Sequence, residues 1–138
     1  MALLSERMKE IFSKQRIFVL GTADLNGTPN AVPIGAVKIL DDETILVSDQ
    51  YFHKTLNNLK QNPTVAISFW ERETGEGYQI KGKAAIHTEG KIYEDTVEWI
   101  RRRGEEIGHP LKSKGAIVIK ITAVYSVTPG PDAGQRVE

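Results

Sequence analysis

Apolar positions along this chain follow two rhythms. Leu4, Met8, Ile11 and Phe12 recur at helical spacing, with Ser5 placed to cap the first turn and Glu6 within it. The spacing predicts a short amphipathic helix over residues 4–13. Ile17 to Ala23 is a compact apolar run ending in small residues, which reads as a strand covered on both faces. Asp24-Leu25-Asn26-Gly27 signals a hairpin, because Asn-Gly supplies the positive φ angles of a type I′ turn. Pro29 follows at the start of the next strand, where a missing N–H is tolerated.

Asn30 to Leu40 reads as a second strand and Thr44 to Ser48 as a third, with Asp41-Asp42-Glu43 turning between them. His53 to Lys60 looks helical, with Leu56 and Leu59 on one face. Asn62-Pro63 stops it, since a residue before proline avoids the helical region. Thr64 to Trp70 and Tyr78 to His87 are further strands, separated by a charged loop with two glycines. Ile92, Tyr93, Thr96, Val97, Trp99 and Ile100 form the apolar stripe of a longer helix. Gly115 to Val127 is a last strand rich in Ile and Val. The tail at 129–138, with Pro129, Gly130, Pro131 and Gly134, is expected to be disordered, leaving one domain over residues 1–128. Six strands with tight turns and few helices suggest a closed or nearly closed antiparallel barrel. An OB-like nucleic-acid module would show the same pattern.

Composition narrows the chemistry. Eighteen basic residues balance eighteen acidic ones in a chain of 138, which argues against a broad electrostatic nucleic-acid binder. The absence of cysteine excludes disulfides, thiolate metal sites, iron–sulfur clusters and cysteine nucleophiles. Glu6, Arg7, Lys9 and Glu10 interrupt any signal-peptide core, and no run approaches the roughly 20 apolar residues of a membrane helix, so the expected location is the cytoplasm. His53, His87 and His109 lack metal-ligand spacing, and no metal site is expected. No Gly-x-Ser-x-Gly elbow and no Walker or Rossmann fingerprint occurs.

Two segments carry candidate chemistry. From Val47 to Leu56 a strand ends, a few polar residues follow, and a helix begins near Lys54-Thr55. A helix N-terminus offers free N–H groups and the positive end of a dipole. With the Lys54 charge and the Thr55 hydroxyl it makes a phosphate cradle; read plainly, it is a surface lysine and a capping threonine. The second segment is Gly75-Glu76-Gly77-Tyr78-Gln79-Ile80-Lys81-Gly82-Lys83-Ala84, where Gly82 inside a strand marks a bulge or a close backbone approach.

In joint order, His53-Lys54-Thr55 and the later Gly-x-Gly-aromatic-x-Ile-Lys-Gly-x-Ala strand resemble the FMN-binding split β-barrel family related to pyridoxamine 5′-phosphate oxidase, above all its small stand-alone FMN-binding proteins. The likeness covers about residues 5–127. It implies a mainly β fold with helices, a six-stranded antiparallel split barrel of Greek-key type, and FMN as cofactor. Lys54 and Thr55 would hold the phosphate with His53 beside it. Val32, Pro33, Ile34 and Gly35 would flank the isoalloxazine ring. Val47, Ser48 and Asp49 would line the ribityl chain and phosphate. Gly75 and Gly77, with Trp70, would approach the flavin near a dimer interface. The resemblance, together with the apolar strands Thr64–Trp70 and Tyr78–His87, implies a homodimer. The implied function is an FMN-dependent oxidoreductase or flavin reductase acting with a small-molecule partner. Alternatives are a non-enzymatic FMN carrier or electron-transfer protein, and a split barrel holding F420 or haem. Pyridoxamine phosphate oxidases carry a C-terminal Arg- and Trp-containing substrate segment. This chain runs Ser126-Val127-Thr128-Pro129-Gly130 there, which counts against that particular oxidation.

Overall fold

The computed structural model describes residues 3–138. The chain runs α1 (Glu6–Ser13), β1 (Phe18–Ala23), β2 (Pro29–Ile34), β3 (Val37–Asp41), β4 (Thr44–Asp49), α2 (Lys54–Gln61), β5 (Thr64–Trp70), β6 (Gly77–His87), α3 (Lys91–Ile107) and β7 (Gly115–Ser126). This is a mixed fold with one antiparallel sheet in the order β2-β1-β5-β6-β7-β4-β3. It has seven strands, not the expected six. The single strand read over residues 30–40 is broken at Gly35-Ala36 into β2 and β3. Sequence pattern did not show the break, because both halves are apolar and the interrupting residues are small.

That break shapes the molecule. β2 and β3 are the two outer strands of the sheet, yet only Gly35 and Ala36 separate them in the chain. Three extended residue steps span at most roughly 11 Å. The sheet therefore curls until its edges lie close together around a shared interior. Leu20, Ile45, Val47, Ile67, Phe69, Ile80, Ile117 and Ile119 fill that interior and are essentially inaccessible to water. Helix α1 adds Met8, Ile11 and Phe12 to the same core. Its start is fixed as the sequence suggests: the Ser5 hydroxyl accepts the Met8 N–H at 3.2 Å.

Phe12, Phe18, Phe69 and Tyr78 form an aromatic cluster between α1 and the sheet, with centroid separations of 4.4–5.9 Å. The Tyr78 hydroxyl leaves this cluster to donate to Glu76 at 2.8 Å, and Arg7 of α1 grips the same carboxylate. Burial, with the Glu76 hydrogen bond, pushes the Tyr78 phenol up to about 12. Hydrogen bonding from Arg7 holds the Glu76 carboxyl below its ordinary value.

Several local expectations change form. The β1–β2 turn is not type I′, since only Gly27 takes a positive φ (83°). The Asp24 carboxylate accepts the N–H groups of Asn26 and Thr28, which favours a type I turn closed by a left-handed glycine. β1 is covered on one face only. Phe18, Leu20 and Thr22 are buried, while Val19, Gly21 and Ala23 are half-buried on the outside. Gly82 does sit at a bulge, where the β6–β7 register shifts between Lys81 and Gly82. A Cβ there would lie 2.5 Å from Ile119 Cγ2. The tail turns back so that Arg136 bridges Tyr125 and the Val137 N–H reaches the Val124 carbonyl. Among the described residues no helix is long and apolar enough to cross a membrane.

Candidate functional site

An apolar cleft of about 540 Å³ lies where the curled sheet leaves the β2 edge uncovered. Its size falls within the ordinary range for small-molecule sites. Val32, Pro33, Ile34 and Gly35 form one wall, Ser48 at the end of β4 forms the floor, and Gln50 to Thr55 form the other wall. The chain thus brings together Val32, Pro33, Ile34, Gly35, Ser48, His53, Lys54 and Thr55, all expected from sequence. Gln50, Tyr51 and Phe52 join them. Tyr51 is three-quarters exposed at the rim.

Each wall has a local cause. β2 pairs only with β1, so half of its backbone groups point away from the ladder. Pro29 and Pro33 lie four residues apart on the same side of that backbone. Having no N–H, they suit the free side and discourage another strand from adding there. Opposite, the Asp49 carboxylate accepts the Phe52 N–H at 2.9 Å and turns the chain out of β4. Lys114 clamps this turn, donating to the Phe52 carbonyl at 3.1 Å.

Helix α2 then starts at the cleft. Its N-cap, His53, makes no side-chain capping bond, so the first-turn N–H groups lack a side-chain partner. Lys54 is exposed, whereas Thr55 is only 3% exposed. A polar network ties α2 to the sheet: Asn30 Nδ2 donates to Thr55 Oγ1 at 3.0 Å and to Thr22 Oγ1 at 3.2 Å, and Asn58 Nδ2 donates to Thr22 Oγ1 at 3.0 Å. Buried amides and hydroxyls satisfied in this way hold the helix end rigidly.

Three expected residues do not line this cleft. Val47 points into the core and is fully buried. Asp49 is 2% exposed and turned toward Phe52 and Lys114, so it shapes the wall without facing the cavity. Gly77 lies at the start of β6, where its N–H donates to Thr128 Oγ1 and a Cβ would sit 2.6 Å from Trp70 Cβ. Its role here is close strand packing.

Sequence reading missed Asn30, Ser113 and Lys114 as supports of the site. Asn30 was legible in principle as an amide inside an apolar strand. Ser113 and Lys114 had no local signal, since they act on residues more than sixty positions earlier. Among the described residues no group of three or more His, Asp or Glu is arranged to hold a metal.

The family model for pyridoxamine 5′-phosphate oxidase matches residues 4–128. The chain belongs to the pyridoxamine 5′-phosphate oxidase family. It is 36% identical over 139 residues to an uncharacterized protein of Methanocaldococcus jannaschii, covering 97% of this chain and 87% of that one. It is also similar to the crystal structure of HupZ from Group A Streptococcus, with TM-score 0.81 and 27% identity over 96% of this chain and 100% of the other. An FMN-binding protein from Syntrophomonas wolfei shares the fold with TM-score 0.75 at 19% identity, over 88% of this chain and 84% of that one.

Proposed function

We propose that the chain binds FMN in the β2–α2 cleft and works as a flavin-dependent oxidoreductase on a small-molecule partner. The observation that carries this reading is the polarity of the cleft. One end is an apolar edge strand at Val32–Gly35, and the other is an uncapped helix start bearing Lys54 and Thr55. A flat, largely apolar ring joined to a phosphate fits such a donor set. Bound flavin supplies the electron chemistry, so no catalytic side chain with a special pKa is needed. Lys54, Thr55 and the first N–H groups of α2 hold the phosphate. The apolar β2 wall would shield the ring from water. Family membership and an FMN-binding neighbour of the same fold support the choice of FMN. The curled seven-stranded sheet supports reading the fold as a split barrel.

The test is spectroscopic. The purified protein is expected to be yellow, with flavin absorption, and to release FMN on denaturation. A colourless protein that does not bind added FMN in a fluorescence titration would remove this reading. A haem or deazaflavin spectrum would replace the cofactor.

The dimer is part of the same proposal. The outward face of β1, β2 and β5 carries apolar residues open to water in one chain: Ile17 is 68% exposed, Trp70 is 49% exposed, and exposed Pro33 and Ala31 pair with Val19 and Gly21 of β1. A second copy on this face would give β1 its missing cover and extend to Pro33, which also borders the cleft. Light scattering at micromolar concentration is expected to give twice the chain mass of 15.4 kDa. A monomer that retains tight FMN binding would separate the site from any partner.

A further inference from the structure

Two hydroxyls face the cleft, and their neighbours set them with opposite polarity. Thr55 Oγ1 accepts a hydrogen bond from Asn30 Nδ2 at 3.0 Å, which leaves its own hydrogen free to donate. That suits an anionic oxygen. Ser48 is arranged the other way. Its Oγ lies 2.8 Å from Ser113 Oγ, and Ser113 Oγ lies 3.0 Å from the Gly115 carbonyl oxygen. A carbonyl oxygen can only accept, so the Ser113 hydrogen is committed to Gly115. Ser113 must then accept the hydrogen of Ser48. Ser48 is left with lone pairs alone toward the cleft. Ser113 is 0% exposed and Ser48 4%, so water does not compete for this pair.

We infer that Ser113 is a positioning residue that fixes Ser48 as a hydrogen-bond acceptor, so that the cleft floor selects a ligand presenting an N–H or O–H donor there. The inference rests on the flavin reading of the cleft and deepens it. A phosphate oxygen placed at Ser48 would meet lone pairs with lone pairs, whereas at Thr55 and Lys54 it meets donors. The two hydroxyls thus set the direction in which a ligand with one anionic end and several donors can lie. Ser113 comes from the segment after α3, 65 residues from Ser48, so that segment tunes the site without touching its occupant.

The test is a double-mutant cycle read by FMN fluorescence titration on the full chain, with wild type, Ser48→Ala, Ser113→Ala and the double variant. Losing the orientation of one neutral hydrogen bond is expected to weaken FMN about three- to tenfold in Ser113→Ala, and a similar amount in Ser48→Ala. In the Ser48→Ala background, Ser113→Ala is expected to add nothing, because its effect passes through Ser48. Equal losses in both backgrounds would make Ser113 a support of the loop only and overturn the inference, as would no loss in either. Should Ser113→Ala fail to fold, Ser113→Cys replaces it, since a thiol is a weak acceptor of nearly the same size. Failure of the wild type to bind FMN is a different result and would remove the flavin reading itself.

Discussion

Replacing Lys54 with alanine is expected to weaken FMN binding by about 10- to 100-fold and to leave riboflavin binding nearly unchanged. Lys54 lies at the first position of α2, exposed beside the cleft and without a carboxylate partner among the described residues. A charge-assisted hydrogen bond to phosphate is worth roughly 1.5–3 kcal/mol, and each 1.4 kcal/mol is about tenfold in affinity. Riboflavin carries the same ring and ribityl chain but no phosphate, so it reports everything in the cleft except that contact. Thr55→Val is expected to act in the same direction with a smaller ligand effect. It also removes the acceptor used by Asn30, so it should lower stability as well. Fluorescence titration of both ligands against wild type and Lys54→Ala checks the assignment. Equal loss for FMN and riboflavin would mean that Lys54 supports the ring pocket or the fold, and the phosphate would have to be placed elsewhere. No loss for either would return Lys54 to an ordinary surface role.

What sequence could and could not reveal here follows from the range of the interactions. Helix α1 was legible because its apolar spacing, N-cap and first-turn charge are all local. β5 was legible as a strand for the same reason, although which of its residues point inward, Val65, Ile67 and Phe69, came from the structure. The break between β2 and β3 was not, because it depends on the sheet curling back on itself, which no short window of residues encodes. The site divides in the same way. Lys54 and Thr55 could be found because a strand end followed by a helix start is a local pattern. Val32 to Gly35 were found through the family resemblance, and the curl then places them opposite α2. Ser113 reaches Ser48 only through tertiary structure. Gly77, expected from the resemblance to approach the flavin, accommodates the close approach of Trp70 in this chain.

Phe69→Ala is expected to cost about 3–5 kcal/mol of stability, the range for removing a large buried aromatic side chain. Phe69 is fully buried, and its ring lies 5.2 Å from Phe12, 5.8 Å from Phe18 and 5.9 Å from Tyr78. It therefore joins α1 to the sheet. A cavity there cannot collapse easily, since β5 is held between β1 and β6. Domains of this kind have total stabilities of roughly 5–15 kcal/mol, so the loss is a large share of the whole. With a urea m-value of about 2 kcal/mol/M, the unfolding midpoint is expected to fall by roughly 1.5–2.5 M with little change in slope. Trp70→Ala is the neighbouring control. Trp70 is next in the chain but lies half-exposed on the outward face, so its loss should leave the core packing of one chain intact. If that face is the dimer contact, Trp70→Ala should instead lower the midpoint and weaken its dependence on protein concentration, because less of the protein is dimeric at a given concentration. Circular dichroism in urea at two protein concentrations separates the effects. A midpoint for Phe69→Ala within about 0.5 M of wild type would show that the aromatic cluster does not hold α1 against the sheet.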